Sequence, residues 1–161
     1  MEKSFEIIKG ARSFVTNLLK EFSIEQLNII PEGFNNNLIW NFGHVISVQQ
    51  GLCYLSSGEK PVVDLKLIQK YKSGSKPEGI IDSAEYDQLE NEFFSTIDRL
   101  EEDLKNGLFK NYKAFELSSY ADLRIENIED AIKFVAFHDG LHVGYMMALK
   151  RVLKHTNLYN S

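Results

Sequence analysis

Two histidines lie four residues apart near the end of the chain, in the stretch AFHDGLHVGYMMALKRVL, residues 136–153. On a helix, this spacing places His138 and His142 side by side on one face, one turn apart. Two imidazoles in this arrangement can bind one metal ion, as in other helical His-x-x-x-His sites. The pair alone is a weak signal, because about one in ten chains with four histidines contains it by chance.

A third histidine strengthens the prediction of a metal site. His44 lies in NNLIWNFGHVISVQQGLCYLSSG, residues 36–58, on the face that also carries Trp40, Val48, Leu52 and Leu55. A buried imidazole needs partners for both ring nitrogens. One shared metal ion satisfies one nitrogen on each of three rings and leaves the other nitrogen for a hydrogen-bond acceptor. The alternative is that His44, His138 and His142 are ordinary core histidines with satisfied hydrogen bonds.

Two further residues with metal-binding side chains are poorly placed. Cys53 follows His44 by nine residues, about 900° of helical rotation, and therefore faces roughly the opposite way. His155 follows His142 by 13 residues and lies past the predicted end of its helix. We predict that neither is a ligand. Three protein ligands and one open position are typical of a catalytic rather than a structural zinc site. The open position would accept a water or a substrate thiolate as nucleophile.

The sequence offers no convincing general base. Asp139 is a candidate because HDGLH resembles the metalloprotease motif HExxH with aspartate in place of glutamate. However, Asp139 lies about 100° around the helix from His138, so we disfavour the protease interpretation and expect a solvated or histidine-orienting carboxylate. Tyr145 is interpreted as a core aromatic rather than a hydrogen-bond donor. Trp40 either forms a wall of the site or fills the core.

Three glycines lie beside the histidines. Gly43, Gly140 and Gly144 occupy predicted helix interiors, where glycine is unfavourable. Two explanations stay open at this point. The missing side chains leave room for a substrate or another helix, or they allow close helix packing.

Apolar residues at steps of three and four predict four amphipathic helices. Asn36 or Asn37 is a suitable N-cap for the second helix, and Ser83 for the third. We expect a short helix at 63–71 and an extended piece at 115–120. The predicted helices span residues 4–22, 36 or 37 to 57, 83–105 and 127–153.

These elements predict an all-α four-helix bundle in a single domain, residues 1–161. The connection at 58–82 is longer than usual for neighbouring helices of a bundle. It therefore predicts a long crossover between helices 2 and 3, with these two helices running parallel.

Composition limits the classes of partner. The chain has 23 acidic and 18 basic residues and a net charge of -5, which argues against nucleic acid and anionic membrane surfaces. No apolar run approaches the roughly 20 residues of a membrane-spanning helix. The N-terminal residues lack a signal-peptide pattern, and one cysteine cannot form an internal disulfide. We therefore expect a cytoplasmic protein.

The chain resembles the DinB/YfiT-like superfamily of metalloenzymes at two motifs. The family's W-x-x-G-H motif on helix 2 corresponds to WNFGH, residues 40–44, and its H-x-x-x-H-x-G motif on helix 4 to HDGLHVG, residues 138–144. The stretch 24–40, IEQLNIIPEGFNNNLIW, also resembles the family's entry into helix 2. Elsewhere the likeness is in helix order and spacing.

The resemblance implies a divalent metal ion, zinc or nickel, on His44, His138 and His142. It also implies a homodimer. Characterised relatives include thiol-dependent S-transferases and a maleylpyruvate isomerase, and others are proposed hydrolases. The implied function is metal-dependent hydrolysis or S-transfer on a small electrophilic substrate, with a low-molecular-weight thiol as one candidate partner. The alternative is a non-catalytic dimeric binding bundle in which the metal is structural or absent.

Overall fold

Four long helices dominate the computed structural model, which describes residues 1–159. They are α1 (Glu2–Leu19), α3 (Leu38–Cys53), α5 (Ser83–Lys105) and α6 (Ile128–Tyr159). Two short helices, α2 (Ile24–Leu27) and α4 (Leu65–Tyr71), lie in the connections. A small antiparallel hairpin of β1 (Phe115–Leu117) and β2 (Leu123–Ile125) precedes α6. The all-α prediction is confirmed.

Helices α3 and α5 run parallel, as the long crossover predicts. The Gln49 side chain donates a hydrogen bond to the Thr96 carbonyl at 3.3 Å, and the Tyr54 hydroxyl donates to Asp103 at 2.8 Å. These contacts advance in the same direction along both helices. By contrast, α3 and α6 run antiparallel, because Asn41 contacts His142 while His44 contacts His138.

Apolar side chains hold the long helices together in two buried clusters. The first cluster includes Val15, Leu38, Phe42, Leu89, Phe93, Met146 and Leu149. The second includes Phe5, Ile8, Cys53, Ile97, Leu100, Ala131 and Val135. Burial of apolar surface is the main stabilising contribution in folding.

Local hydrogen bonds place several helix ends differently from the prediction. α1 ends at Leu19 rather than at residue 22, because Ser23 and Gln26 form a capping box that starts α2. The N-cap of α5 is Asp82, not Ser83, since the Asp82 carboxylate accepts from the Glu85 amide at 2.9 Å. Asn37 is the N-cap of α3, as predicted.

The second helix ends where predicted, at Gly58, whose φ of 73° is left-handed, although its last turn, Leu55–Ser57, is 3₁₀ rather than α-helical. The end of the last helix differs. α6 continues to Tyr159, past the predicted end at 153. Of the extended piece expected at 115–120, residues 115–117 form β1. The pairing of β1 with β2 was not predicted. Among residues 1–159, no helix is both long and apolar enough to cross a membrane.

The crossover packs closely on the middle of α3. A Cβ atom added at Gly43 would lie 2.6 Å from the ring of Tyr71, the last residue of α4. Real Cβ contacts do not approach so closely, so Gly43 is needed for this packing. Of the two explanations for the glycines, close packing holds at Gly43.

Candidate metal centre

The three predicted histidines meet between α3 and α6. One ring nitrogen of each of His44, His138 and His142 lies within 4.8 Å of the others. The ring centroids of His138 and His142 are 4.5 Å apart, and that of His44 lies 5.2 Å and 4.8 Å from them. His44 and His138 are buried and His142 is partly buried. The cluster forms because the His-x-x-x-His face of α6 crosses the His44 face of an antiparallel helix.

The crossover fixes the orientation of His44. Its Nδ1 lies 2.7 Å from the backbone carbonyl oxygen of Tyr71. A carbonyl oxygen only accepts hydrogen bonds, so Nδ1 carries the proton and donates it. In the neutral ring, Nε2 then has a free lone pair, which is the form that binds metal ions.

Asn41 fixes the orientation of His142 in the same way. The Asn41 side-chain nitrogen donates to the Asn36 side-chain oxygen at 3.0 Å and to the Asn37 carbonyl at 2.8 Å. Both partners are acceptors, so the amide orientation is determined. The remaining Asn41 oxygen lies 2.8 Å from His142 Nδ1 and accepts its proton. His142 Nε2 is therefore also unprotonated.

His138 lacks such a partner. Its Nδ1 is buried and has no hydrogen-bond partner among the described residues. A buried polar nitrogen without a partner is unfavourable by about 1–3 kcal/mol. The donor set therefore fits a metal ion. Hydrogen bonds from Nδ1 to outer acceptors leave a free lone pair on Nε2 of His44 and of His142. The third ring, His138, has a nitrogen without a partner among the described residues.

The spacing of the cluster is also compatible with a metal ion. Two nitrogens bound to tetrahedral zinc are separated by roughly 3.4 Å. The candidate ligand nitrogens of the cluster lie within 4.8 Å of one another. Rotation of the histidine rings can bring them to the shorter separation found around zinc. Three nitrogen donors are an ordinary set for zinc and nickel.

The surroundings of the cluster favour neutral imidazoles. Burial, with smaller effects from His142, His44 and Arg12, lowers the pKa of His138 from 6.5 to about 3. Burial and then His44 lower the pKa of His142 to about 4. Burial also lowers the pKa of His44, although its bond to Tyr71 opposes the shift. At neutral pH all three rings are uncharged, which is the state required for metal binding.

Trp40 forms one wall of the cluster. Its ring stacks on His44 with a centroid separation of 4.6 Å and an interplanar angle of 12°. Its indole nitrogen donates to the Ser75 hydroxyl at 3.1 Å. Ser75 belongs to the long crossover, so this hydrogen bond holds the Trp40 ring in its orientation. Trp40 thus stacks on the cluster and also belongs to the first buried apolar cluster, so the two interpretations of this residue both describe its position.

Asp139 is neither solvated nor bonded to a histidine, contrary to expectation. The side chain is 3% exposed, and one carboxylate oxygen lies 3.1 Å from Nε of the buried Arg12 on α1. Arg12 also donates to the Phe93 carbonyl and, at 3.1 Å, to the Thr96 hydroxyl. Burial raises the pKa of Asp139 to about 6, against the opposing effect of Arg12. The carboxylate pairs with α1 rather than with the histidine cluster, which disfavours a role as the base of a HExxH-like site.

The residues rejected as ligands are outside the cluster. Cys53 is fully buried in the second apolar cluster, where burial raises the pKa of its thiol. His155 is exposed. Tyr145 packs edge-to-face on Phe34 at 5.6 Å, as an ordinary aromatic contact.

Leu55 lies on the helix face predicted to carry His44 but is 45% exposed. Leu141, beside Gly140 on α6, is 44% exposed. A Cβ atom at Gly140 or Gly144 would meet nothing within 4 Å. Close packing within the chain therefore does not explain these two glycines, and the space beside them is open.

Asn41, Tyr71 and Arg12 were not predicted from the sequence. Asn41 could have been found, because it is a polar residue on the predicted inner face of α3 and precedes His44 by one turn. Tyr71 acts through its backbone carbonyl, which carries no side-chain signature. Arg12 lies 127 residues from its partner, and no local pattern links the two.

The fold and the cluster define a four-helix bundle with a three-histidine centre between two antiparallel helices. The chain matches the DinB superfamily over residues 8–146 and belongs to that superfamily. Its structure is similar to that of a conserved protein from Enterococcus faecalis, with a TM-score of 0.66 and 11% identity over 96% of each chain. At that identity the likeness shows the fold alone. No curated protein matches the chain significantly in sequence.

Proposed function

We propose that the protein is a metal-dependent enzyme with zinc or nickel on His44, His138 and His142. The substrate is a small electrophilic molecule, and the reaction is hydrolysis or transfer to a low-molecular-weight thiol. A divalent ion bound there acts as a Lewis acid and lowers the pKa of a water or thiol, which gives a nucleophile at neutral pH.

One observation carries the proposal: three neutral imidazoles converge, and outer acceptors fix two of them in the metal-binding tautomer. An ordinary core histidine would have both nitrogens satisfied. The unpartnered Nδ1 of His138 departs from that expectation. Because the donors number three, a bound ion retains a position for water or substrate.

The surrounding residues prepare the site. Tyr71 and Asn41 hold the rings of His44 and His142, and Trp40 covers one face of His44 and excludes water from it. Protection from water strengthens electrostatic interactions within the site. Among the described residues, no carboxylate forms a hydrogen bond with any of the three histidine rings. We therefore assign no general base.

The test is metal content by plasma mass spectrometry on protein purified without a histidine tag. We expect nearly one zinc or nickel per chain in the wild type and loss of metal in His44→Ala and His138→Ala. His155→Ala is the matched control, because His155 is exposed and outside the cluster; it should retain the metal. Absence of metal from the wild type, with no uptake of added zinc or nickel, would overturn the proposal.

A thiol requirement distinguishes the two reactions. An S-transferase needs an added low-molecular-weight thiol for turnover, whereas a hydrolase turns over in thiol-free buffer. A substrate screen run in both buffers therefore assigns the reaction.

The alternative is a non-catalytic binding bundle with a structural metal. The two apolar clusters favour the enzyme, because they join α1, α3, α5 and α6 through contacts that do not involve the three histidines. A structural site should lose much of its stability on chelation. We expect chelated protein to stay folded by circular dichroism and to lose activity only.

We also propose a homodimer that associates through the exposed face of α6. Leu141 and Met147 are 44% and 47% exposed there, and Gly140 and Gly144 are also exposed on that side of the helix. Each glycine is unfavourable by about 1 kcal/mol relative to alanine in a helix interior, and close approach of a second helix would explain both. Gly144→Leu should convert a dimer to a monomer in sedimentation velocity. A monomeric wild type would overturn this proposal. The cytoplasmic location stays a prediction.

A further inference from the structure

A cavity of about 850 Å³ lies between the β1–β2 hairpin and the first half of α6. Its apolar wall comprises Tyr120, Leu123, Ile125, Phe134 and Phe137. Sites for small molecules typically measure about 300–1,000 Å³ and have mostly apolar linings with a few polar groups. The cavity has the size and chemistry of such a site.

The aromatic side chains form an organised surface. The Tyr120 ring meets those of Phe134 and Phe137 edge-to-face, with centroid separations of 5.1 Å and 5.8 Å. Even so, Phe137 is 51% exposed and Leu123 is 45% exposed. Large apolar side chains that stay exposed on a concave wall favour burial by an apolar ligand.

The polar groups of the cavity balance one another. Arg124 pairs with Glu126 at 3.1 Å, and Lys133 pairs with Asp130 at 3.4 Å. The two cations and two carboxylates sum to zero, so these four side chains give the lining no net charge to attract an anion or a cation. The lining therefore favours an uncharged ligand over an anion or a cation.

The hairpin tip contributes to the cavity wall. Ala121 and Asp122 have φ angles of 53° and 56°, the left-handed geometry that tight hairpin turns require. This turn places Ala121 in the cavity wall.

Phe134 connects the cavity with the histidine cluster. Its ring lines the cavity, and its centroid lies 6.1 Å from that of His138, one turn further along α6. A molecule in the cavity is therefore separated from the cluster by a single aromatic ring.

We propose that this cavity binds the aromatic part of an uncharged small-molecule substrate, with Tyr120 and Phe137 as specificity-determining residues. The assignment as substrate rests on the proposed function. Binding itself requires no metal and is measured separately.

The test uses ¹⁹F NMR with 4-fluorobenzyl alcohol as the neutral probe and 4-fluorobenzoate and 4-fluorobenzylamine as charged probes. Metal-free wild type should bind the alcohol at least tenfold more tightly than either charged probe. Phe137→Ser and Leu123→Ser should each weaken binding at least fivefold. Both side chains are about half exposed, so the variants should fold, which circular dichroism checks. Phe14→Ser is the matched control, because Phe14 lies on α1 outside the cavity and is similarly exposed, at 47%; this variant should bind as the wild type does.

Three outcomes would overturn the inference: no binding of the alcohol at millimolar concentration, equal binding of a charged probe, or unchanged binding in both cavity variants. His138→Ala should still bind the alcohol. This variant distinguishes a failure of the cavity from a failure of the metal site. In protein shown by mass spectrometry to hold Co²⁺, the resonance of the bound probe should broaden. An unbroadened resonance would overturn the connection to the histidine cluster.

Discussion

The side-chain oxygen of Asn41 lies 2.8 Å from Nδ1 of His142. The two residues are on antiparallel helices, and the amide nitrogen of Asn41 is held by Asn36 and Asn37 at the start of α3. The N-terminal turn of one helix thus determines which nitrogen of a histidine on another is free to bind a metal ion.

Replacement of Asn41 should therefore weaken metal binding without removing a ligand. Asn41→Leu removes the acceptor for His142 Nδ1, and loss of such an outer partner typically lowers metal affinity by about 10–100-fold. Asn41→Asp retains an acceptor oxygen and should lose less affinity. Competition with a chromogenic chelator measures both. Equal affinities for wild type and Asn41→Leu would show that the contact does not orient the ring.

Gly43 is expected to tolerate no side chain. In Gly43→Ala the new Cβ would lie 2.6 Å from the Tyr71 ring, and such overpacking typically destabilises by about 1–3 kcal/mol. Gly51→Ala on the same helix is the control. Its Cβ would meet nothing within 4 Å, so helix propensity should stabilise it by up to about 1 kcal/mol. Urea denaturation gives both values, and equal stabilities would refute the packing argument.

The buried pair of Arg12 and Asp139 should be important for stability rather than chemistry. Arg12→Met or Asp139→Leu leaves a buried charge unpaired, which typically destabilises by about 3–5 kcal/mol. The double variant leaves neither charge and should be less destabilised than the sum of the single variants. A double-mutant cycle in urea measures the coupling. Additive effects would indicate that the pair does not interact.

Metal-free protein should lose stability as the pH falls from about 6.5 towards 4. Burial lowers the pKa of His138 to about 3 and of His142 to about 4, from 6.5. As the pH falls, the unfolded chain therefore binds these protons before the folded chain does. The free energy of unfolding consequently decreases as the pH falls. Asp139 acts oppositely, because its pKa rises from 3.8 to about 6. Three histidines have lowered pKa values and one carboxyl group has a raised pKa, so the net effect is a loss of stability at low pH.

Urea denaturation at pH 7 and pH 4.5, on chelated protein, measures this loss. His142→Gln removes one of the titrating groups and should show a smaller decrease. A free energy of unfolding that stays constant or rises at pH 4.5 would contradict the assignment of neutral buried rings.

The sequence alone determined the helices and the three histidines. Helical periodicity is local, so the apolar positions of α1, α3, α5 and α6 could be identified from spacing. The spacing of four residues between His138 and His142 placed them on one face of α6. The length of the connection at 58–82 indicated the parallel arrangement of α3 and α5, which the structure confirms.

Only the tertiary structure decided how those histidines are held. The acceptor for His44 is a backbone carbonyl of Tyr71, 27 residues away, and a carbonyl leaves no mark in a sequence. Asp139 has the position expected of a catalytic base in a motif, but the direction of its side chain depends on Arg12, 127 residues distant. Contacts between distant residues depend on how the helices cross, and local spacing does not specify that crossing.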